Sequence, residues 1–145
     1  MDPQIRLLLE CTYEAIIDSG NRPEDLYGRN IGVFIGSSVS ETHSALCSDL
    51  DSIKGPEMTG CMFSMFANRI SYFFNWTGPS FFQDTACSAS LLAFDNAIDA
   101  IRSGRCEAAI VGGSNLILKV GGTIQFSKLG MVIYFRKMIA IRDFK

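Results

Sequence analysis

At 145 residues, 48% of them apolar and 19% charged, the chain is long enough for one domain with a real core and too apolar to be disordered. Its formal net charge of -2 gives no electrostatic case for nucleic acid. No run reaches the roughly 18 uninterrupted apolar residues of a membrane span, and the N-terminus lacks the basic start and apolar stretch of a secretory signal.

Asp2 and Pro3 open a helix well, with a side-chain acceptor at the N-cap and proline in the first turn. Ile5, Leu8, Leu9, Thr12, Tyr13, Ile16 and Ile17 follow at helical spacing, and Gly20 supplies the stop. Residues 21–29 form a polar turn region. The apolar run Ile31-Gly32-Val33-Phe34-Ile35-Gly36 predicts a buried parallel strand. Residues 37–51 are polar, a loop with a helical piece, broken by Lys54-Gly55-Pro56.

Residues 62–74 carry large side chains on several faces, which predicts a helix buried between layers. A turn at 75–79 leads to a strand over 80–85 and then to Cys87. The next helix ends near Ser103-Gly104, with Leu91, Phe94, Ile98 and Ile101 on one side and Ala93, Ala97 and Ala100 on another. Residues 107–113 form a second buried strand. Gly121-Gly122 opens a final strand over 123–127, where polarity alternates. Strands separated by helices predict an α/β fold with a parallel or mixed sheet covered on both faces.

Five cysteines, Cys11, Cys47, Cys61, Cys87 and Cys106, are an odd number without a Cys-x-x-Cys pair. That argues against a zinc or thioredoxin-like site and for reduced thiols in the cytoplasm. Cys87 stands apart because it lies where a strand meets a helix. A thiol at a helix start faces unpaired backbone N–H groups and the positive end of the helix dipole, which favour the reactive thiolate. Its small neighbours Ala86, Ser88 and Ala89 leave room for a substrate. Read from spacing alone, covalent catalysis and a plain buried thiol are evenly matched.

Asp84-Thr85-Ala86-Cys87-Ser88-Ala89-Ser90-Leu91 resembles the active-site segment of β-ketoacyl synthases, the condensing enzymes of fatty acid and polyketide synthesis. Met1-Asp2-Pro3-Gln4-Ile5-Arg6-Leu7-Leu8-Leu9-Glu10, Ala67-Asn68-Arg69-Ile70-Ser71-Tyr72-Phe73 with Gly78-Pro79-Ser80, and Ala108 to Asn115 resemble further segments of that family, in the same order and spacing. Asn68, with Gln125-Phe126-Ser127-Lys128-Leu129-Gly130-Met131, is more similar to animal-type fatty acid synthase than to modular polyketide synthases. The resemblance covers residues 1–131, a partial N-terminal region. Residues 132–145 form a tail that does not match the family's usual continuation.

The resemblance implies a thiolase-like condensing-enzyme fold, of which this chain holds the first half, with a mixed sheet between helices. It implies that Cys87 is the catalytic nucleophile, taking the acyl chain as a thioester, and that the Cys87 backbone N–H helps stabilise the oxyanion. Decarboxylative condensation with a malonyl group would follow, supported by two histidines downstream of the cysteine. No histidine follows Cys87 here, and His43 precedes it in a polar stretch. This chain alone is therefore not expected to complete a condensation. No cofactor or metal is expected. The implied substrates are acyl and malonyl thioesters carried on the phosphopantetheine of an acyl carrier protein or on CoA. The implied partners are that carrier domain and a second subunit in a homodimer of the full-length enzyme, with no nucleic acid and no membrane span.

Two readings compete: a non-catalytic truncated paralogue that binds acyl groups or pairs with a full-length subunit, and a cysteine hydrolase using Cys87 with His43. Asp84 reads as a framework hydrogen-bonding group holding the turn before Cys87 in preference to a catalytic acid, and Asn68 and Arg69 as framework or subunit-contact groups. Gly112-Gly113-Ser114-Asn115 reads as a tight turn, and Gly36-Ser37-Ser38 resembles an anion-binding turn only weakly.

Overall fold

The computed structural model describes residues 1–46 and 55–131. Cys47, the end of the polar stretch, Lys54 and the 132–145 tail lie outside the described residues. Six helices and three strands are described: α1 Pro3–Asp18, β1 Ile31–Gly36, α2 Glu41–Leu46, α3 Pro56–Cys61, α4 Ser64–Phe73, β2 Ser80–Gln83, α5 Ala89–Arg102, β3 Ala108–Gly113 and α6 Val120–Lys128. A single 3-10 turn, Pro23–Leu26, interrupts the polar region before β1.

The first helix begins as its sequence dictates. The Asp2 carboxylate accepts from the Gln4 N–H at 2.7 Å, and Pro3 needs no partner there. Its far end closes with two bonds, Gly20 N–H to Ile17 O and Asn21 N–H to Ile16 O. Gly20 takes the left-handed φ of +81° that this closure requires. Asp2 is fully buried and also accepts from Ser40 Oγ at 2.5 Å, which ties the start of α1 to the loop after β1.

The strands pair in the order β2-β1-β3, and every pairing is parallel. Among the described residues the sheet is therefore parallel rather than mixed. Each β1 residue is buried, because helices cover both faces. Ile31, Val33 and Ile35 point to α1 and α4, where they join Ile5, Leu8, Ile16, Phe66 and Ile70 in the larger core. Phe34 points the other way and meets Ala93, Ala97, Ala100 and Cys106.

That second face is packed at short range. Gly32 and Gly36 flank Phe34 on it, and α5 presents Ala89, Ala93, Ala97 and Ala100, all buried. Small residues on both sides let the helix axis approach the sheet closely. The large apolar residues of α5 point away, with Leu91 70% and Phe94 53% exposed.

Several expectations need correcting: β2 ends at Gln83 rather than at 85, and the 107–113 strand begins at Ala108 and has no fully buried residue. Helix α4 is not enclosed between layers: Phe66, Ala67 and Ile70 are buried, while Tyr72 is 83% and Phe73 62% exposed. Residues 123–127 belong to helix α6, not to a strand. A five-residue alternation of polarity is too short to fix a period. The local bonding decides instead: the Glu41 carboxylate accepts from the N–H groups of Leu118 and Lys119 at 2.6 Å each, and Gly130 closes the far end.

Candidate functional site

The C-terminal ends of the three strands lie together, and their bonding continues one residue further. Ser37 N–H donates to Gln83 O and Ser114 N–H to Gly36 O, each at 3.1 Å. In open parallel sheets this end is where ligands bind, because the chain turns there from strand to helix. The turn that matters is the one after β2. Asp84 and Thr85 leave the sheet, Ala86–Ser88 make a single 3-10 turn, and α5 starts at Ala89. Cys87 occupies the middle of that turn and is exposed.

The elbow has three supports. Asp84 Oδ1 accepts from the Ala86 N–H at 3.0 Å. Ser88 Oγ donates to Thr85 O at 2.8 Å, so a second clasp closes on the other side of Cys87. The third support is steric. A Cβ on Gly36 would lie 2.6 Å from Ser90 N and closer still to the Ala89 carbonyl group, and a Cβ on Gly113 would lie 2.8 Å from Ser90 Cβ. The first turn of α5 thus rests directly on the ends of β1 and β3, which holds the helix start behind the thiol.

The backbone at the elbow is strained. Ala86 has φ +53°. An L-residue without a local polar side chain pays about 1–3 kcal/mol for such a conformation. Asn75, the other non-glycine residue with positive φ among the described residues, is of a type that tolerates it.

Beside the elbow, Phe34, Phe81, Gln83, Leu92, Asn96 and Arg105 line an open groove of about 320 Å³. Gln83 Oε1 accepts from Asn96 Nδ2 at 2.9 Å, bonding the end of β2 to the flank of α5. Among the described residues no group of three or more His, Cys, Asp and Glu side chains is placed to hold a metal ion, and no helix is long and apolar enough to cross a membrane.

The other residues singled out in the sequence fall as follows. Asp84 does hold the turn. His43 is exposed on α2, on a separate element from the elbow, with its backbone N–H donated to Ser40 Oγ. Asn68 faces outward on α4. Arg69 donates to Thr59 O at 3.2 Å, linking α4 to α3. Gly113 admits the start of α5. Gly36 supports the site although its residue type and position alone do not announce that role. The signal for Gly36 was present, since glycines alternate on one face of β1 opposite an alanine-rich helix.

The chain from residue 1 to 142 matches the family model described as "Beta-ketoacyl synthase, N-terminal domain". It belongs to the β-ketoacyl synthase family. A fatty acid synthase of the goose Anser anser anser is 55% identical over 132 residues, covering 91% of this chain and 38% of that protein. A highly reducing polyketide synthase of Aspergillus aculeatus is 46% identical over the same share of this chain, which is 5% of its own length. The chain thus spans well under half of these relatives. Among solved structures, the ketosynthase from module 6 of the bacillaene synthase of Bacillus subtilis 168 superposes with a TM-score of 0.76 at 32% identity, over 91% of this chain and 22% of that one. An oxazolomycin ketosynthase domain of Streptomyces albus JA3453 gives 0.63 at 38% identity, over 81% and 26%. The fold is accordingly the thiolase-like fold of ketosynthases, here its N-terminal part.

Proposed function

We propose that this chain is the nucleophile-bearing part of a β-ketoacyl synthase of fatty acid synthesis, and that Cys87 accepts the growing acyl chain. The observation that carries the reading is the elbow: an exposed thiol on a clasped turn between a parallel strand and a helix, in a ketosynthase fold. The Cys87 thiolate attacks the carbonyl of an acyl thioester borne on the phosphopantetheine of a carrier protein or on CoA. A carbon–sulfur bond forms at Cys87, the carrier's carbon–sulfur bond breaks, and the released carrier thiolate takes up a proton. The backbone N–H of Cys87 supplies one donor to the oxyanion formed on the way.

In the second step, malonyl thioester loses carbon dioxide, and the resulting enolate attacks the acyl-Cys87 carbonyl. A carbon–carbon bond forms and the Cys87 thiolate leaves. The family's two histidines for this step have no counterparts among the 145 residues, whose one histidine is His43. Condensation is therefore assigned to the full synthase. The higher identity to the goose fatty acid synthase supports a fatty acid product over a polyketide. A cytoplasmic location accords with such an enzyme.

Homodimerisation belongs to the same reading. β2 is an outer strand of the described sheet, Phe81 on it is 48% exposed, and α5 beside it leaves its large apolar side chains uncovered. The same surfaces also suit the second reading, a non-catalytic chain that pairs with a full-length subunit.

Purified chain incubated with isotope-labelled octanoyl-CoA and malonyl-CoA tests the proposal by peptide mass spectrometry. The expected result is slow acylation at Cys87, abolished by Cys87→Ala, and no β-ketoacyl product. Acyl label spread evenly over Cys11 and Cys87 would favour the pairing module, and turnover lost on His43→Ala would favour a hydrolase.

A further inference from the structure

We infer that Asp84 is the positioning residue of the elbow, whose carboxylate oxygen fixes Ala86 in the left-handed conformation that presents Cys87. The inference rests on the reading of Cys87 as the acyl-accepting thiol and adds what keeps that thiol in place.

Ala86 is the point where residue type and conformation disagree. Its φ of +53° lies where alanine is rarely found, and a methyl side chain offers no local hydrogen bond to offset it. The offset comes from two residues upstream, where Asp84 Oδ1 accepts from the Ala86 N–H at 3.0 Å. A bond from a side chain to the backbone N–H two residues on closes a ring of its own and stabilises the turn it spans. Downstream, Ser88 Oγ is engaged with both Thr85 O and Thr85 Oγ1, at 2.8 and 3.0 Å. The Cys87 peptide is therefore held from both sides; of the two side-chain clasps only the upstream one ends on the strained residue, whose carbonyl also accepts from the Ala89 N–H. Glycine at 86 would adopt this φ without strain, but it would also reach many other conformations. Alanine with a carboxylate clasp restricts the elbow to one.

Asp84 acts here through Ala86 and has two separable properties, an acceptor oxygen and a negative charge. Asp84→Asn keeps the acceptor and removes the charge. Asp84→Ala removes both. Ala86→Gly removes the strain that the clasp offsets.

The test is the rate of octanoyl transfer from octanoyl-CoA to Cys87 in the 145-residue chain, read on the Cys87 peptide by mass spectrometry. Asp84→Ala is expected to slow acylation by about tenfold, since small misplacements of a reacting group carry large rate penalties. Asp84→Asn is expected to stay within roughly twofold of the unmodified chain, because the acceptor remains. Adding Ala86→Gly to Asp84→Ala is expected to restore much of the lost rate. Acylation at the original rate in Asp84→Ala, an Asn variant as slow as the Ala variant, or no recovery with glycine would each overturn the inference. Amide hydrogen exchange at Ala86 gives a readout independent of acylation. Faster exchange in Asp84→Ala, but not in Asp84→Asn, supports the clasp, and unchanged exchange overturns it. If the unmodified chain acylates Cys87 no faster than Cys11, the reading of Cys87 fails, and the exchange measurement still decides the role of Asp84.

Discussion

Gly36 and Ala89 meet backbone to backbone, with no side chain between the last residue of β1 and the first residue of α5. The contact fixes where the helix begins, and so fixes the height of Cys87 above the sheet. A methyl group on Gly36 has nowhere to go, because the atoms it would strike are the main chain of Ala89 and Ser90. Gly36→Ala is therefore expected to destabilise the chain by about 2 kcal/mol or more and to lower the acylation rate of Cys87. Urea unfolding followed by circular dichroism checks the first effect, and octanoyl transfer the second. A variant as stable as the parent would show that α5 shifts without strain.

The two faces of α5 should respond to substitution in the reverse of the usual order. Ala97 is buried and Phe94 is 53% exposed. Ala97→Leu is expected to cost about 1–3 kcal/mol by overpacking. Phe94→Gln is expected to change stability by no more than about 0.5 kcal/mol. Urea unfolding of both variants checks the pair.

The same exposed apolar faces carry a prediction about solution behaviour. Leu91, Phe94 and Ile101 on α5, and Val120, Ile124 and Leu129 on and after α6, are all solvent-exposed. The purified chain is expected to self-associate and to bind a hydrophobic dye, and the double variant Leu91→Glu, Phe94→Glu to associate less. Sedimentation velocity across a concentration series checks it. A monodisperse monomer with a sharp melt would refute the prediction.

Glu41 holds the start of α6 from another part of the chain. Its carboxylate accepts from the Leu118 and Lys119 N–H groups, bonds of the charge-assisted kind. Glu41→Ala is expected to weaken this end by about 1 kcal/mol, read as roughly fivefold faster hydrogen exchange at Leu118 and Lys119. Exchange at Ile110 and Val111, in the centre of the β1–β3 pairing, should not change.

At the opposite end of the sheet, Arg29 and Glu107 form a two-pronged ion pair, with both bonds at 2.8 Å. The hydrogen bond from Arg29, assisted by its charge, holds the Glu107 carboxyl below its ordinary value of about 4.5. A carboxyl depressed in the folded state adds stability above its unfolded value, and that stability is lost as pH falls through the folded value. The pair is exposed, so the effect is small. Glu107→Gln is expected to lower the melting temperature slightly at pH 7, and the difference from the parent should vanish once pH falls well below 4.5. Paired thermal melts across pH check it.

The sequence was most legible where structure is local. Asp2, Pro3 and Gly20 mark both ends of α1 by short-range bonds that their residue types dictate, and Ile31 to Gly36 is apolar throughout because both its faces are covered. Cys87 was legible for the same reason: the strand, the turn and the helix around it are contiguous. Long-range contacts were not legible. Nothing near residue 120 announces that Glu41 will cap α6, so the alternating residues after Gly122 read as a strand. Gly36 reads as a strand end or an anion-binding turn until Ala89 is seen against it. In α4, aromatic content reads as burial, but Tyr72 and Phe73 lie on the outer side of a helix whose inner face is already filled by Phe66, Ala67 and Ile70.

The strand order carries a consequence for timing. β1 lies between β2 and β3, and β3 comes last of the three along the chain. During synthesis, Cys87 emerges before Gly113, which forms half of the seat on which its helix rests. The thiol therefore exists as an ordinary side chain on an unsupported segment until β3 has docked beside β1. Parallel pairings between distant segments are slow to form, because loop closure precedes the contacts that reward it. The supported elbow is thus a late product of folding, and a nascent chain carries Cys87 before it carries the seat that positions it.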